Sequence, residues 1–313
     1  MAERAKAKKS GGRDDTATSG AGPGIAVRVR ALLPSLSPAE QRVAQAILDN
    51  PSTVAALTIS ELAERAQTSE TTVIRFCRAL GMSGYPELRL TLAAEAGRAE
   101  GGAARRVVGS DIGPSDSIHQ IVEKIAYADA SAVEDTVAQL HIPTLKQVID
   151  LLAAAGRVDI YGVAASAFVA MDFQQKLHRI GRIAFAWSDL HIALTSAALL
   201  RPGDVAVGIS HTGVTADTIE ALTEARKHGA TTVALTNFPK SPITAVADYV
   251  LTTAARETTF RSGAMSSRLG QLTVVDCLFV GVAQRTYTDT VSALEATRAA
   301  VQHRRQTGDR GRR

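Results

Sequence analysis

Three hydroxyl side chains fall within six residues of this chain, Ser210, Thr212 and Thr215 in Ser210-His211-Thr212-Gly213-Val214-Thr215. Hydroxyls at this spacing, around a glycine that lets backbone come close to a ligand, are groups that hold a dianionic phosphate. The residues before them, Val205, Ala206, Val207 and Ile209, form an apolar run of strand length. After them Ile219 and Leu222 keep helical spacing. The order strand, small polar loop, helix puts the loop at the carboxyl end of a parallel strand, where helix-start amides point at an anion. Ser and Thr also cap helices with no ligand involved, and that reading stands beside the first.

Ser166 follows another strand-like run, in Tyr161-Gly162-Val163-Ala164-Ala165-Ser166, and is a second candidate for the same anion or a helix cap. His211 offers a backbone or ring donor to phosphate, or is a plain loop residue. Asp189 and His191 read as a helix cap and a core or dimer-facing histidine ahead of a catalytic pair. The two cysteines, Cys77 and Cys277, lie far apart, and no HExxH or CxxC pattern occurs. No metal, cofactor or catalytic residue is expected.

A different chemistry sits nearer the N-terminus. Val73, Phe76, Cys77 and Leu80 share one helical face, leaving Thr71, Arg75 and Arg78 on the opposite one. Ser69, Thr71, Thr72, Arg75 and Arg78 are the candidate DNA contacts, hydroxyl and guanidinium groups suited to phosphates and base edges. Glu70 is the acidic exception.

The elements that must position these groups can be read from caps and periodicity. Ser37-Pro38-Ala39-Glu40 starts a helix that Asn50-Pro51 ends. Thr58-Ile59-Ser60-Glu61 opens a second, with Ile59, Leu62, Ala63 and Ala66 as its apolar face. After a Gln67-Thr68-Ser69 turn, Ser69 caps a third that runs to Leu80 and stops at Gly81. Two short helices around so tight a turn are the helix-turn-helix arrangement, although a purely structural helical hairpin has the same pattern. Beyond a segment with five glycines come helices over 117–140 and 143–155. Strands at 158–163, 182–186, 204–209, 231–236 and 248–252 then alternate with helices at 166–180, 190–200 and 216–228, before a closing helix from about 265. The fold class is therefore an all-α helix-turn-helix domain followed by an α/β three-layer sandwich with a parallel sheet. The domains are a disordered basic tail 1–24, a helix-turn-helix domain 25–96, a linker 97–116, an α/β domain 117–303 and a basic tail 304–313.

These motifs carry a resemblance. The hydroxyl loop is similar to the phosphate loop of sugar isomerase (SIS) domains, with Thr212 where serine is commoner. Ser166 matches the first serine of that pattern, although Ala164 replaces a frequent glycine. Glu257, in Arg256-Glu257-Thr258-Thr259-Phe260-Arg261, resembles the acidic position that SIS enzymes use as a base; orienting sugar hydroxyls or pairing with Arg261 are its other readings. Residues 59–63, 69–81 and Gly84-Tyr85 resemble the amino-terminal domain of RpiR (MurR/RpiR) regulators, which join such a domain to an SIS fold in this order. The resemblance implies a DNA-binding regulator, not an enzyme, whose SIS domain senses a phosphorylated sugar. The alternatives are a sugar-phosphate isomerase or lyase with an accessory helical domain, and an oligomerisation scaffold without ligand.

The expected partners are a double-stranded DNA operator, a phosphorylated sugar effector and a second copy of the chain, as dimer or tetramer. The last follows from helix-turn-helix geometry and from apolar residues that exceed the needs of one layer: Ile118, Ile121, Val122, Ile125, Val133, Val137 and Leu140, with Leu272, Val275, Leu278, Phe279 and Val282. At 313 residues and a formal charge of +4, with no apolar run of ~18 residues and a polar start, a cytoplasmic protein that does not enter a membrane is expected.

Overall fold

The computed structural model describes residues 24–98, 111–257 and 265–306. The tail of residues 1–23, most of the glycine-rich segment and residues 307–313 lie outside the described residues.

The first part of the chain is helical: α1 (Ile25–Leu32), α2 (Pro38–Asp49), α3 (Pro51–Ala56), α4 (Ile59–Arg65), α5 (Glu70–Ala79) and α6 (Tyr85–Arg98). The caps read from sequence are formed. Ser37 and Glu40 close a reciprocal box on α2, and Thr58 and Glu61 close one on α4. Pro51 ends one helix and starts another. Asn50 is the C-cap of α2, and its side chain accepts the Thr53 amide at 3.1 Å to cap α3, where proline occupies the first position and no amide is missed. Val43, Ile47, Leu62, Val73, Phe76, Cys77 and Leu88 pack these helices into one core.

The second part begins ahead of its first helix. Residues 111–116 were expected within the linker, yet they form a fastened turn. Asp116 accepts the Gly113 amide at 2.7 Å and the buried Lys124 ammonium at 2.7 Å, and that ammonium also reaches the Asp111 carbonyl. Helices α7 (Ile118–Gln139) and α8 (Ile142–Ala154) follow, then β1 (Val158–Gly162), α9 (Ala165–Arg179), β2 (Ala184–Trp187), α10 (Leu190–Ala197), β3 (Val205–Ile209), α11 (Ala216–Lys227), β4 (Thr231–Thr236), β5 (Tyr249–Thr252), α12 (Ser266–Arg285) and α13 (Tyr287–Gln306). The last helix was not expected; the chain turns at Thr286 and continues helically into the segment expected to be a basic tail.

All five strands are parallel, in the order β2-β1-β3-β4-β5. Their alternating side chains build two unlike cores. Val158, Ile160, Val205, Val207, Val233 and Leu235 face α8, α9 and α12, while Tyr161, Ala206 and Ala234 face the alanine-rich sides of α10 and α11. The apolar surplus expected on two helices is half corrected. Val275, Leu278 and Val282 of α12 are consumed by this chain's own core, because α12 lies across the middle of the first helical layer. On α7 the buried residues are Lys124, Ala132 and Thr136, whereas Ile118, Val122 and Val137 are exposed. Among the described residues no helix is long and apolar enough to cross a membrane.

Candidate functional site

The strand order creates a crevice. Helices leave β1 and β3 on opposite faces of the sheet, and these two strands are neighbours, so the loops at their carboxyl ends diverge side by side, as at ligand crevices of open α/β sheets. Ser166 is buried in the first turn of α9, directly after the first of these loops, and residues 210–215 form the second.

The second loop is braced from below. Ser210 is buried; its hydroxyl is 2.9 Å from that of Thr215 and accepts the Gly213 amide at 3.0 Å. Thr212 is exposed and its hydroxyl accepts the Val214 amide at 3.4 Å. The His211 carbonyl takes the Asn237 amide at 3.0 Å and the Thr236 hydroxyl at 3.2 Å, and its ring sits edge-on to Phe238. Burial lowers the His211 pKa from its ordinary value, with Glu257 opposing. Burial thus favours the neutral ring, and its buried Nδ1 has no hydrogen-bond partner among the described residues. Gly213 has φ +67°, and a Cβ there would lie 2.0 Å from Ser241 Oγ.

Thr215 stands at the N-cap of α11 without capping it. The amides of Ala216, Asp217 and Thr218 have no partner among the described residues. The start of α9 is likewise without a side-chain cap. Elsewhere, Ser, Thr, Asn, His and Asp side chains close the starts of α2, α3, α4, α5, α7, α8 and α10; Asp189 is the cap of α10, at 3.0 Å from the Ile192 amide. Glu95 and Glu257 reach the first amides of α1 and α12. Both starts border the crevice. At α9 the Ser166 and Ala167 amides turn back to the Val163 and Ala164 carbonyls, at 3.1 and 3.0 Å, whereas at α11 the open amides carry the positive end of the helix dipole.

Glu257 is joined to this region from the far edge of the sheet. Asn237, at the end of β4, accepts the Ala255 amide at 2.8 Å and the Thr253 hydroxyl at 3.1 Å. From α7, Thr136 accepts the Ala254 amide at 3.1 Å and Gln139 donates to the Thr253 carbonyl at 3.1 Å. Glu257 Oε1 then accepts the Ser267 amide at 2.9 Å. Arg261, its expected ion-pair partner, lies outside the described residues.

The helix-turn-helix is equally well fixed. Gln67 takes a left-handed backbone, φ 48°, and the Thr68 amide reaches back to the Ala63 carbonyl at 2.9 Å, a Schellman closure made without glycine. Arg42 of α2 clamps the turn through the Ala66 and Gln67 carbonyls at 3.0 and 2.9 Å. Ser69 caps α5. The structure corrects one candidate: Thr72 is buried, with its hydroxyl 3.0 Å from that of Ser69, because it falls on the side of α5 that meets α2 and α4. Thr71, Arg75 and Arg78 are exposed. Arg75 also pairs with Glu40 at 3.4 Å, whereas Arg78 has no partner among the described residues. Glu70 is occupied by the Ser60 hydroxyl at 2.5 Å.

Comparison with known proteins matches both halves. The model of the rpiR-family helix-turn-helix domain covers residues 24–98, and that of the SIS domain covers residues 151–281. An uncharacterised HTH-type transcriptional regulator of Caldanaerobacter subterraneus subsp. tengcongensis is 40% identical over 277 residues, 88% of this chain and 96% of its own length. The chain belongs to the RpiR family. Another relative of this RpiR-family protein, the HTH-type regulator YbbH of Bacillus subtilis, is 34% identical, with 90% and 98% of the two chains covered. Among solved structures, NanR of Vibrio vulnificus complexed with ManNAc-6P is similar over 88% of this chain and 98% of its own, at TM-score 0.56 and 28% identity. The sugar isomerase domain of an RpiR transcription factor from Sphaerobacter thermophilus covers 57% of this chain and 98% of its own, at TM-score 0.52 and 26% identity.

Sequence reasoning about this RpiR-family chain missed three supports. Arg42 and Asn237 reach these partners 16 or more residues away, so no local pattern announces them. The third is a buried carboxylate: Asp159 accepts from Arg157 at 2.7 Å, Ser196 at 2.7 Å and Trp187 at 2.9 Å, which fixes the indole at the carboxyl end of β2. Aspartate inside an apolar run was its only signal. The exposed Ala164, just before Ser166, has φ 51° and ψ −122°, a conformation strained for any residue with a Cβ. Ala164→Gly is expected to stabilise the protein by about 1 kcal/mol, the relieved strain less the entropy glycine loses on folding. A rise in the urea midpoint at unchanged slope would show it; a fall would not fit the strained loop.

Proposed function

We propose that this HTH-type regulator binds operator DNA through the exposed face of α5 and a phosphorylated sugar in the crevice between β1 and β3, each site altering affinity at the other, with no turnover. The observation that carries the ligand half is the open start of α11. A threonine occupies the capping position and leaves the amides of residues 216–218 free, beside the braced hydroxyls of Ser210 and Thr215. An anion held there gains the helix dipole and charge-assisted hydrogen bonds together. Thr212 and the Ser166 hydroxyl complete the donor set, and Gly213 keeps the loop low. The NanR neighbour complexed with ManNAc-6P supports the ligand class. Glu257 serves as a brace for the start of α12 in this reading, and occupancy of its Oε1 by the Ser267 amide supports that role over a free base. A dimer or tetramer presents two α5 helices to two half-sites, and the exposed Ile118, Val122 and Val137 support such an assembly.

The test is a thermal-shift screen against sugar phosphates, followed by operator binding and NMR of the incubated ligand. A ligand at 100 times its Kd is expected to stabilise the protein by ~2.7 kcal/mol, and to change operator affinity by roughly 5- to 150-fold. Repeated conversion of the sugar phosphate, with DNA binding indifferent to it, would replace the regulator by an enzyme.

A further inference from the structure

At the start of α12 three polar side chains are buried with nothing to bond among the described residues. Ser266, Ser267 and Gln271 are each at most 1% exposed. Among the described residues, both serine hydroxyls and both ends of the Gln271 amide lack a hydrogen-bond partner. Helices do not ordinarily hide such groups unpaired: buried polar atoms in folded proteins nearly always find a partner, and a glutamine with neither end satisfied is exceptional. Ser267 and Gln271 are four residues apart and share a face of α12. That face descends into the core through Val274, Val275 and Leu278, so the polar group forms its top turn. The turn lies at the carboxyl end of the sheet, since a Cβ on Gly270 would stand 3.5 Å from the Cβ of Thr253, the residue that follows β5.

This group adjoins the phosphate loop through Asn237, whose amide donates to the His211 carbonyl and whose side chain accepts the Ala255 amide, and through Glu257 two residues on, which accepts the Ser267 amide. The His211 Nδ1 is itself buried without a partner among the described residues. We infer that Ser266, Ser267 and Gln271 form the subsite that reads the hydroxyl-bearing body of the effector, while the 210–215 loop holds its phosphate. The inference rests on the phosphate reading above and adds the selectivity to it. Serine hydroxyls and a carboxamide both donate and accept, and so does each sugar hydroxyl, so the two sets are complementary. The carboxylate of Glu257 beside them repels a second anionic group. The ligand class is therefore the monophosphate of a neutral sugar, preferred over inorganic phosphate, a sugar bisphosphate or a phosphorylated sugar acid.

The test compares wild-type full-length chain with Gln271→Met and Ser267→Ala by calorimetric titration. The probes are neutral hexose and hexosamide 6-phosphates, pentose 5-phosphates, a hexose bisphosphate, 6-phosphogluconate and inorganic phosphate. Wild type is expected to bind at least one neutral monophosphate tenfold or more tighter than inorganic phosphate, the bisphosphate and the acid. Gln271→Met is expected to weaken that sugar phosphate at least tenfold with inorganic phosphate unmoved. Its unfolding temperature without ligand is expected to be no lower than wild type, because methionine fills the space and removes the unpaired amide. Ser267→Ala carries the same comparison if the methionine variant does not fold. Unchanged sugar selectivity in both variants, or equal losses for sugar phosphate and inorganic phosphate, overturns the subsite and leaves the phosphate loop standing. Failure of every phosphate compound to bind wild type overturns the loop and the subsite together.

Discussion

Gly213→Ala is expected to cost the α/β domain about 2–5 kcal/mol and to remove its response to any phosphorylated ligand. Two causes add. The backbone at φ +67° is left-handed, which costs a residue with a Cβ roughly 1–2 kcal/mol. The new Cβ would also lie 2.0 Å from Ser241 Oγ, 2.5 Å from Ser241 Cβ and 2.9 Å from Thr236 Oγ1, an overpacking worth roughly 1–3 kcal/mol. Ser241 cannot swing aside freely, because its hydroxyl donates to the Phe238 carbonyl at 2.7 Å and its buried position closes the 3-10 turn Pro242–Ala245 beneath the loop. The loop must rise instead, breaking the Ile243 amide bond to the Gly213 carbonyl and pulling Ser210 and Thr215 out of register. Adding Ser241→Gly removes the two nearest of these atoms, leaving Thr236 Oγ1, and is expected to restore most of the packing part while leaving the backbone part, so the pair should be strongly non-additive in urea denaturation. A Gly213→Ala protein with wild-type stability and wild-type ligand affinity would mean that the loop does not adopt this conformation.

Arg78→Ala is expected to lower operator affinity by roughly 1–3 kcal/mol if the guanidinium reads a base, or to reduce the salt slope by about one if it holds a phosphate. The folded state should hardly notice, since this side chain is exposed and has no partner among the described residues. Arg75→Ala behaves differently. Its guanidinium pairs with Glu40 at 3.4 Å, and Glu40 also closes the cap of α2, so the change should weaken DNA binding and cost a further 0.2–1 kcal/mol of stability, the usual range for an exposed pair. The Glu40 carboxyl is held below its ordinary pKa chiefly by the Ser37 hydroxyl, with Arg75 a lesser cause, which is why the cap should survive. Fluorescence anisotropy of labelled operator across a salt series, with thermal melts of the same samples, separates the two arginines. Unaltered operator affinity in both variants would remove α5 from the DNA interface.

What the sequence by itself determined is what local hydrogen bonds and periodicity encode. The caps at Ser37, Thr58 and Ser69 reach only three residues, so each could be read from its spacing and each is formed. The β3 run and the hydroxyl loop were legible for the same reason, as were the alternation that forces a parallel sheet and the motifs of the RpiR family. Pro51 misled because one residue type both stops a helix and starts one, and only the Asn50 cap decides between them. Tertiary structure decided the rest. It placed β1 beside β3, bringing Ser166 next to the 210–215 loop across more than forty residues of chain. It turned Thr72 inward, since a helix packed on two others buries a wider arc than its apolar stripe predicts. It linked Thr136 and Gln139 of α7 to the segment carrying Glu257, at separations of 118 and 114 residues. It also buried Ser266, Ser267 and Gln271 without partners among the described residues. In sequence these are ordinary polar residues at a helix start, and their unmet hydrogen bonds exist only because the packed chain shuts water out.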